Sequence, residues 1–213
     1  PRLMFERTGL PVLVDRDRVA AARAAVSAGC DLVIADDGLQ HHRLARDVEI
    51  EVVDGERGYG NGLLIPAGPL REAPRTCDIR VVNGEADRAE DWSMHLLLRD
   101  AVSVNDRGLA RALSLFTAVP AHAVAGIGNP ARFFKALRSA GVQTTEHGFE
   151  DHHRFRAEDF AGMTGPILMT EKDAVKCAGL GLENAWAVPV EAELGAGFFA
   201  AVEAKLRQRH VQA

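Results

Sequence analysis

The run D-L-V-I-A-D-D-G-L-Q-H-H, from Asp31 to His42, constrains this chain most. Leu32, Val33 and Ile34 lead into two adjacent carboxylates, Asp36 and Asp37, and Gly38 then breaks any strand. A short apolar run flanked by turn residues suits a parallel strand covered on both faces. Ligands in open parallel sheets gather beyond the carboxyl ends of such strands, so the acids stand where a site is expected. A second expected strand, Val48 to Val53, also ends in an acid, Asp54. Two strands finishing in carboxylates point to one shared sheet edge.

Around this run the pattern alternates. Leu10 to Val14 reads as a short strand, and Asp17 to Ala28 as an Ala-rich helix with Val19 and Val26 on one face, closed by Gly29. Gly55 to Thr76 is rich in Gly, Pro and Arg and cannot hold regular structure for long. A segment of about 20 such residues in a compact domain is usually functional or disordered, and its place after a strand end favours function. Asp78 to Val82 reads as a strand, and Met94 to Leu115 as a β-hairpin or ribbon around R-D and N-D-R-G turns. The second half then gives strands at Ala121 to Ala125, Val142 to Glu146, Ile167 to Met169 and Ala185 to Val190. Between and after them stand helices at Pro130 to Ala140, Ala157 to Met163, Lys172 to Leu180 and Ala196 to Arg209. Such alternation implies parallel α/β architecture.

The 213 residues are 47% hydrophobic, ample for a core, and the net charge of -5 exerts no general pull on nucleic acid or anionic lipid. Cys30, Cys77 and Cys177 are far apart and lack C-x-x-C spacing, so neither a disulfide framework nor a zinc site is indicated, and a reducing cytoplasm is the default. No apolar run nears the roughly 18 residues that would span a bilayer.

An apolar strand ending in acid is the arrangement in which a carboxylate holds Mg²⁺ against two phosphates, although a strand-end Asp capping the next turn explains the pattern equally well. Gln40, His41 and His42 follow within one turn. Hard Mg²⁺ prefers oxygen, so hydrogen bonding is the better role for the histidines. In the long loop, Arg71 and Glu72 within P-L-R-E offer a planar fork for phosphate, whereas Arg57 reads as a solvated side chain and Asn61 stays open. G-I-G-N-P, from Gly126 to Pro130, is either a phosphate cradle at a helix start or a tight βα turn. His152 in E-D-H-H-R-F is a base or a polar surface residue. In T-E-K-D-A-V-K, Thr170 and Asp173 space like a capping box with Asp in place of Glu.

Together D-D-G-L-Q-H, R-D-V-E-I, R-G-Y-G-N-G, P-A-G-P-L-R-E, A-G-I-G-N-P-A-R-F-F, D-H-H and M-T-E-K-D-A-V-K resemble the tetraacyldisaccharide 4'-kinase family, in the family's order across nearly the whole chain. The resemblance implies a P-loop NTPase-like parallel α/β core, lacking its first strand and Walker A loop, with a smaller C-terminal α/β domain joined by a β-ribbon. The implied boundaries are residues 1–92 for a partial nucleotide-binding core, 93–115 for the hairpin linker and 116–213 for the second domain. It further implies transfer of the γ-phosphoryl group of ATP to the 4'-hydroxyl of tetraacyldisaccharide 1-phosphate, giving lipid IVA in lipid A biosynthesis. The implied cofactors are ATP and Mg²⁺. The partner is a lipid disaccharide at the inner face of the Gram-negative inner membrane, where the protein would sit peripherally from the cytoplasm, with no nucleic acid.

By motif, Asp36 and Asp37 would be the metal-binding acids with Glu72 beside them, and Arg71 and Gln40 would act near the phosphates. Arg18, in D-R-D-R, would fall near the substrate, and His152 would support a catalytic aspartate. The family's Lys-bearing phosphate loop and that aspartate, in a G-D-E-P stretch, would lie upstream of Pro1; no G-x-x-x-x-G-K-[ST] occurs in the sequence. An N-terminal truncation, inactive alone, is therefore expected. Two other readings stay open: a non-catalytic remnant that binds nucleotide or a partner, and a Mg²⁺-dependent phosphohydrolase with Asp36 or Asp37 as nucleophile.

Overall fold

In this computed structural model, residues 1–210 are described. Two short helices come first, α1 (Arg2–Thr8) and α2 (Arg18–Ser27), then strands β1 (Ile50–Asp54), β2 (Ile79–Asn83), β3 (Trp92–Leu98), β4 (Ala101–Ser103) and β5 (Ala110–Arg111). The alternating half follows as β6 (Ala121–Ala125), α3 (Pro130–Ser139), β7 (Thr144–Gly148), β8 (Ile167–Thr170), α4 (Glu171–Cys177), β9 (Ala185–Val188), β10 (Val190–Leu194) and α5 (Phe198–His210). The chain folds as two units, one of Pro11–Leu96 with the segment from Ala192 onward, the other of Arg2–Leu10 and Leu97–Glu191.

The first unit holds a sheet in the order β1-β2-β3-β10, with β1 and β2 parallel from Ile50 opposite Ile79 to Asp54 opposite Asn83. Its apolar face buries Ile79, Val81 and Phe198, with Trp92, Leu194 and Val202 packed around them. Phe198 meets the Trp92 ring edge-on at 5.6 Å. That contact returns α5 to the first unit, whereas the sequence pattern put it with residues 116–213. Asp17 starts α2 by accepting hydrogen bonds from the amides of Val19 and Ala20 at 2.9 and 3.2 Å, satisfying two otherwise orphaned donors. The buried residue of α2 is Ala25; Val26, expected on one face with Val19, is exposed.

Two expected strands do not form. Leu32 to Ile34 and Leu10 to Val14 are irregular, and Ile34 is 80% exposed. Among the described residues no strand lies on the outer side of β1, so the Leu32 to Ile34 run has no ladder to join. Without one its backbone stays irregular and its apolar side chains uncovered, despite a strand-like composition.

The second unit realises the alternation. Its sheet runs β5-β4-β9-β8-β6-β7, parallel from β9 through β7, with β4 and β5 forming the expected antiparallel hairpin, Ala101 opposite Arg111. Trp92–Leu98, ahead of that hairpin, belongs instead to the first sheet, parallel to β2. Side chains alternate across the strands, so Ala123, Leu168 and Trp186 share one face with Phe133, Phe134 and Leu137 of α3. The other face carries Val124, Met169 and Ala187 against Ala174 and Cys177 of α4 and against Phe155 and Phe160. A parallel sheet covered on both faces explains why its strands read as continuous apolar runs. The helix expected over Ala157 to Met163 is one 3₁₀ turn, Ala157–Phe160.

Asp173, fully buried, ties two strand ends together. Its carboxylate accepts from the Gly126 amide at 2.9 Å, from the Thr170 hydroxyl at 2.7 Å and from Lys176 Nζ at 2.8 Å. Lys176 Nζ also reaches the Gly126 carbonyl at 3.3 Å. Removing one partner of a buried, hydrogen-bonded charge pair costs about 3–5 kcal/mol, because the other charge is left uncompensated. Asp173→Ala is expected to destabilise the second unit by that order, and Thr170→Val by about 1 kcal/mol. Urea midpoints of the two variants check the ranking.

On the same sheet His122 Nδ1 lies 3.0 Å from His147 Nε2. Burial, with His122 beside it, holds the His147 imidazole below its ordinary value of 6.5. The unfolded chain therefore takes up a proton on acidification before the folded chain does. Stability should fall as pH drops below the ordinary imidazole value and level off above it. Urea midpoints measured on both sides of that pH should differ less in His147→Gln than in the parent.

Candidate active site

The acid-bearing run is a turn at the end of an irregular segment. Asp37 adopts a left-handed backbone, φ 52°, sparsely populated for any residue with a Cβ, though Asp tolerates it better than most. Gly38 is buried, and a Cβ there would come within 2.9 Å of the Ala35 Cβ, so only glycine fits. The His41 amide donates to the Gly38 carbonyl at 3.0 Å and turns the chain back, presenting Asp36, Asp37 and Gln40 as exposed side chains.

The P-A-G-P-L-R-E segment meets this turn. Asn61 accepts from the Leu63 amide at 3.1 Å and donates to the Ala67 carbonyl at 2.9 Å, so this candidate binding residue laces its own loop. A Cβ on Gly68 would overlap the Asn61 side chain and the Leu63 carbonyl, which makes the glycine of P-A-G-P obligatory. The loop so folded brings Arg71 Nη1 to 3.6 Å from Asp37 Oδ2, both side chains well exposed. Glu72 is divided between two residues of the acidic turn, accepting from Gln40 Nε2 at 3.2 Å and facing His42 Nε2 at 3.0 Å.

Two clefts adjoin at Gln40. One, of about 270 Å³, is lined by Asp37, Gln40, Arg71 and Glu72 at its polar side and by Glu51 and Tyr59 at its wall. Tyr59 donates to Glu51 Oε1 at 2.8 Å, and burial followed by that carboxylate raises its phenol above the ordinary value. The other cleft, of about 480 Å³, is basic, with Arg16, Arg18, Arg43, His41 and His42 around Gln40. The structure thus brings Asp37, Gln40, Arg71, Glu72 and Arg18 to two neighbouring concavities of one unit.

Among the described residues no three His, Cys, Asp or Glu side chains converge on a point fit for a metal, so Asp36, Asp37 and Glu72 are not assembled as a three-ligand set. The donor chemistry still suits Mg²⁺. That ion is held by one or two carboxylates plus phosphate oxygens and water, and Asp36 and Asp37 are exposed oxygen donors. Glu72 is the poorer candidate, since Gln40 and His42 engage both of its oxygens.

His152 lies in the second unit, in a turn closed by the His153 amide on the Glu150 carbonyl at 3.1 Å. Its backbone is left-handed, φ 64°, its side chain 91% exposed, and its Nε2 stands 3.7 Å from Asp151 Oδ2. His153, not singled out from the sequence, is the histidine of this triplet at hydrogen-bond distance from a carboxylate, 3.0 Å from Asp159 Oδ2. Of the Gly126 to Pro130 turn, the first amide is already taken by Asp173, which favours the tight-turn reading over the phosphate cradle. Thr170 does cap α4, accepting from the Asp173 amide at 3.2 Å, but the larger role of Asp173 was missed. Its signal was an acid three residues before a lysine on an otherwise apolar helix face.

The sequence model of the family described as tetraacyldisaccharide-1-P 4'-kinase, LpxK, matches residues 1–207. The tetraacyldisaccharide 4'-kinase of Xanthomonas euvesicatoria pv. vesicatoria is 51% identical over 98% of this chain and 65% of its own length. That of Stenotrophomonas maltophilia is 49% identical over 97% of this chain and 64% of its own. The chain therefore spans just under two thirds of these curated relatives. The crystal structure of an "apo" form LpxK from Aquifex aeolicus, in complex with ATP, superposes with a TM-score of 0.65 at 24% identity, covering 92% of this chain and 63% of that one. That likeness shows the fold, α/β sheets flanked by helices. The chain belongs to the tetraacyldisaccharide-1-P 4'-kinase family.

Proposed function

We propose that this chain carries the metal-side and acceptor-side portion of a kinase that moves the γ-phosphoryl group of ATP to the 4'-hydroxyl of tetraacyldisaccharide 1-phosphate, giving lipid IVA. The observation that carries the proposal is the meeting of D-D-G-L-Q-H with P-L-R-E at one cleft, through Asp37 with Arg71 and Gln40 with Glu72. Phosphoryl transfer needs positioning and charge neutralisation more than covalent help from the protein.

In this reading Asp36 and Asp37 would hold Mg²⁺, which would supply charge neutralisation for the transferring phosphoryl group. Arg71 supplies a second cation from the same loop; its pair with Asp37 is exposed, so the guanidinium is free to turn toward a phosphoryl oxygen. Glu72 fixes Gln40 and His42 at the lip between the clefts. Arg18, with Arg16 and Arg43, gives the second cleft the charge to receive an anionic sugar phosphate. His152 supports the aspartate that the family resemblance assigns as base. The lipid substrate would be met peripherally, at the cytoplasmic face of the inner membrane.

Asp36→Ala and Asp37→Ala, made in a full-length kinase that includes this span, are expected to lower kcat by about 10²-fold or more, since each removes an electrostatic contact to the transferring group. At least one of them should raise the Mg²⁺ concentration needed for half-maximal rate. Equal and small effects would remove the metal assignment, and an acid-stable aspartyl-phosphate on either residue would favour the hydrolase. The 213-residue chain by itself should not phosphorylate the disaccharide; turnover at the full-length rate would overturn that part of the proposal.

A further inference from the structure

R-D-V-E-I, Arg46 to Ile50, has no role in the chemistry above, yet two of its side chains hold the acid-bearing turn. Arg46 Nη1 donates to the Gly38 carbonyl at 3.0 Å and to the Leu39 carbonyl at 2.8 Å, and its Nη2 lies 2.9 Å from Glu49 Oε1. Glu49 is fastened to the sheet by its backbone, its amide donating to Asp78 Oδ2 at 3.0 Å and its carbonyl accepting from the Ile79 amide at 3.1 Å. The same carboxylate takes both ends of the Arg75 guanidinium. Arg75 in turn reaches the Leu39 carbonyl at 3.4 Å and lies 3.9 Å from Glu72 Oε1. Arg46 and Glu49 keep less than a fifth of their side-chain surface exposed.

We infer that Arg46 is a positioning residue for the kinase site: from Glu49, tied by its backbone to Asp78 and Ile79, it clamps the carbonyls of Gly38 and Leu39 and so sets where Asp37 and Gln40 point. Its importance to the reaction rests on the function proposed above. Gly38 and Leu39 lie in irregular backbone, where no ladder satisfies their carbonyls, and a planar guanidinium reaches both carbonyls and a carboxylate at once. An ammonium on a flexible stem is a point charge with no such fork. Arg46→Lys should therefore keep the charge and the fold and lose the clamp.

Two readouts separate positioning from bulk stability. In the 213-residue chain, Arg46→Lys should speed amide hydrogen exchange at His41, whose amide is bonded to the clamped Gly38 carbonyl, by about tenfold or more, one decade being about 1.4 kcal/mol, while the amides of β1 and β2 exchange as in the parent. In the full-length kinase, Arg46→Lys should lower kcat by about tenfold and raise the Mg²⁺ requirement, with KM for the disaccharide unchanged. Glu49→Gln, which keeps the shape but binds the two guanidiniums more weakly, should shift both readouts the same way. Unchanged exchange at His41 in both variants overturns the positioning role, as does a loss spread evenly over the sheet. Local loosening without any effect of Asp36→Ala or Asp37→Ala on Mg²⁺ dependence leaves the clamp standing and overturns the metal reading instead.

Discussion

Backbone that leaves a sheet to form a site loses the ladder that paired its amides and carbonyls, and unpaired polar groups are costly wherever water is scarce. In this chain charged side chains anchored on regular structure supply the missing partners. Glu49, just ahead of β1, gathers Arg46 and Arg75, and the first of these holds the Gly38 and Leu39 carbonyls. Asp173, on α4, receives the Gly126 amide directly and the Gly126 carbonyl through Lys176. The solution recurs in both units: a shielded carboxylate fixes a cation, and the two hold a strand-end or loop turn that no sheet reaches.

This also separates what could be read in the sequence from what could not. The strands of the second unit were legible because its parallel sheet is covered on both faces, and two-sided burial writes itself as short apolar runs between helix signals. Leu32 to Ile34 carries the same composition and forms no strand, because strand formation needs a neighbour as well as a suitable run, and among the described residues β1 has none on that side. The return of α5 to the first sheet depended on Phe198 finding Trp92, a contact across about a hundred residues that no local period records.

The candidate site divided in the same way. Asp37, Gln40, Arg71 and Glu72 were visible as motif residues, since their types declare metal and phosphate chemistry, and the structure brings them together. Arg46 and Glu49 were visible only as members of a matching string without a role. Their function lies in which carbonyls they reach, and carbonyls have no letter of their own. His152 and His153 are adjacent in sequence, yet one is exposed beside Asp151 and the other is paired with Asp159. Only geometry separates two identical letters.

The ion pairs in the first unit are graded by exposure, and the grading suits a site that must hold its frame while exchanging a ligand. Arg75 with Glu49 is bidentate and shielded, and the guanidinium beside it keeps the Glu49 carboxyl below its ordinary value. Arg71 with Asp37, at 3.6 Å and open to water, belongs to a class worth only about 0–1 kcal/mol. In the proposed function a phosphate arriving there would replace Asp37 as the partner of Arg71 at little cost, and Mg²⁺ would replace Arg71 as the partner of Asp37. The exposed pair would thus store the two charges that the proposed reaction needs without committing them to each other. The shielded network behind it leaves the backbone nowhere to follow when they part.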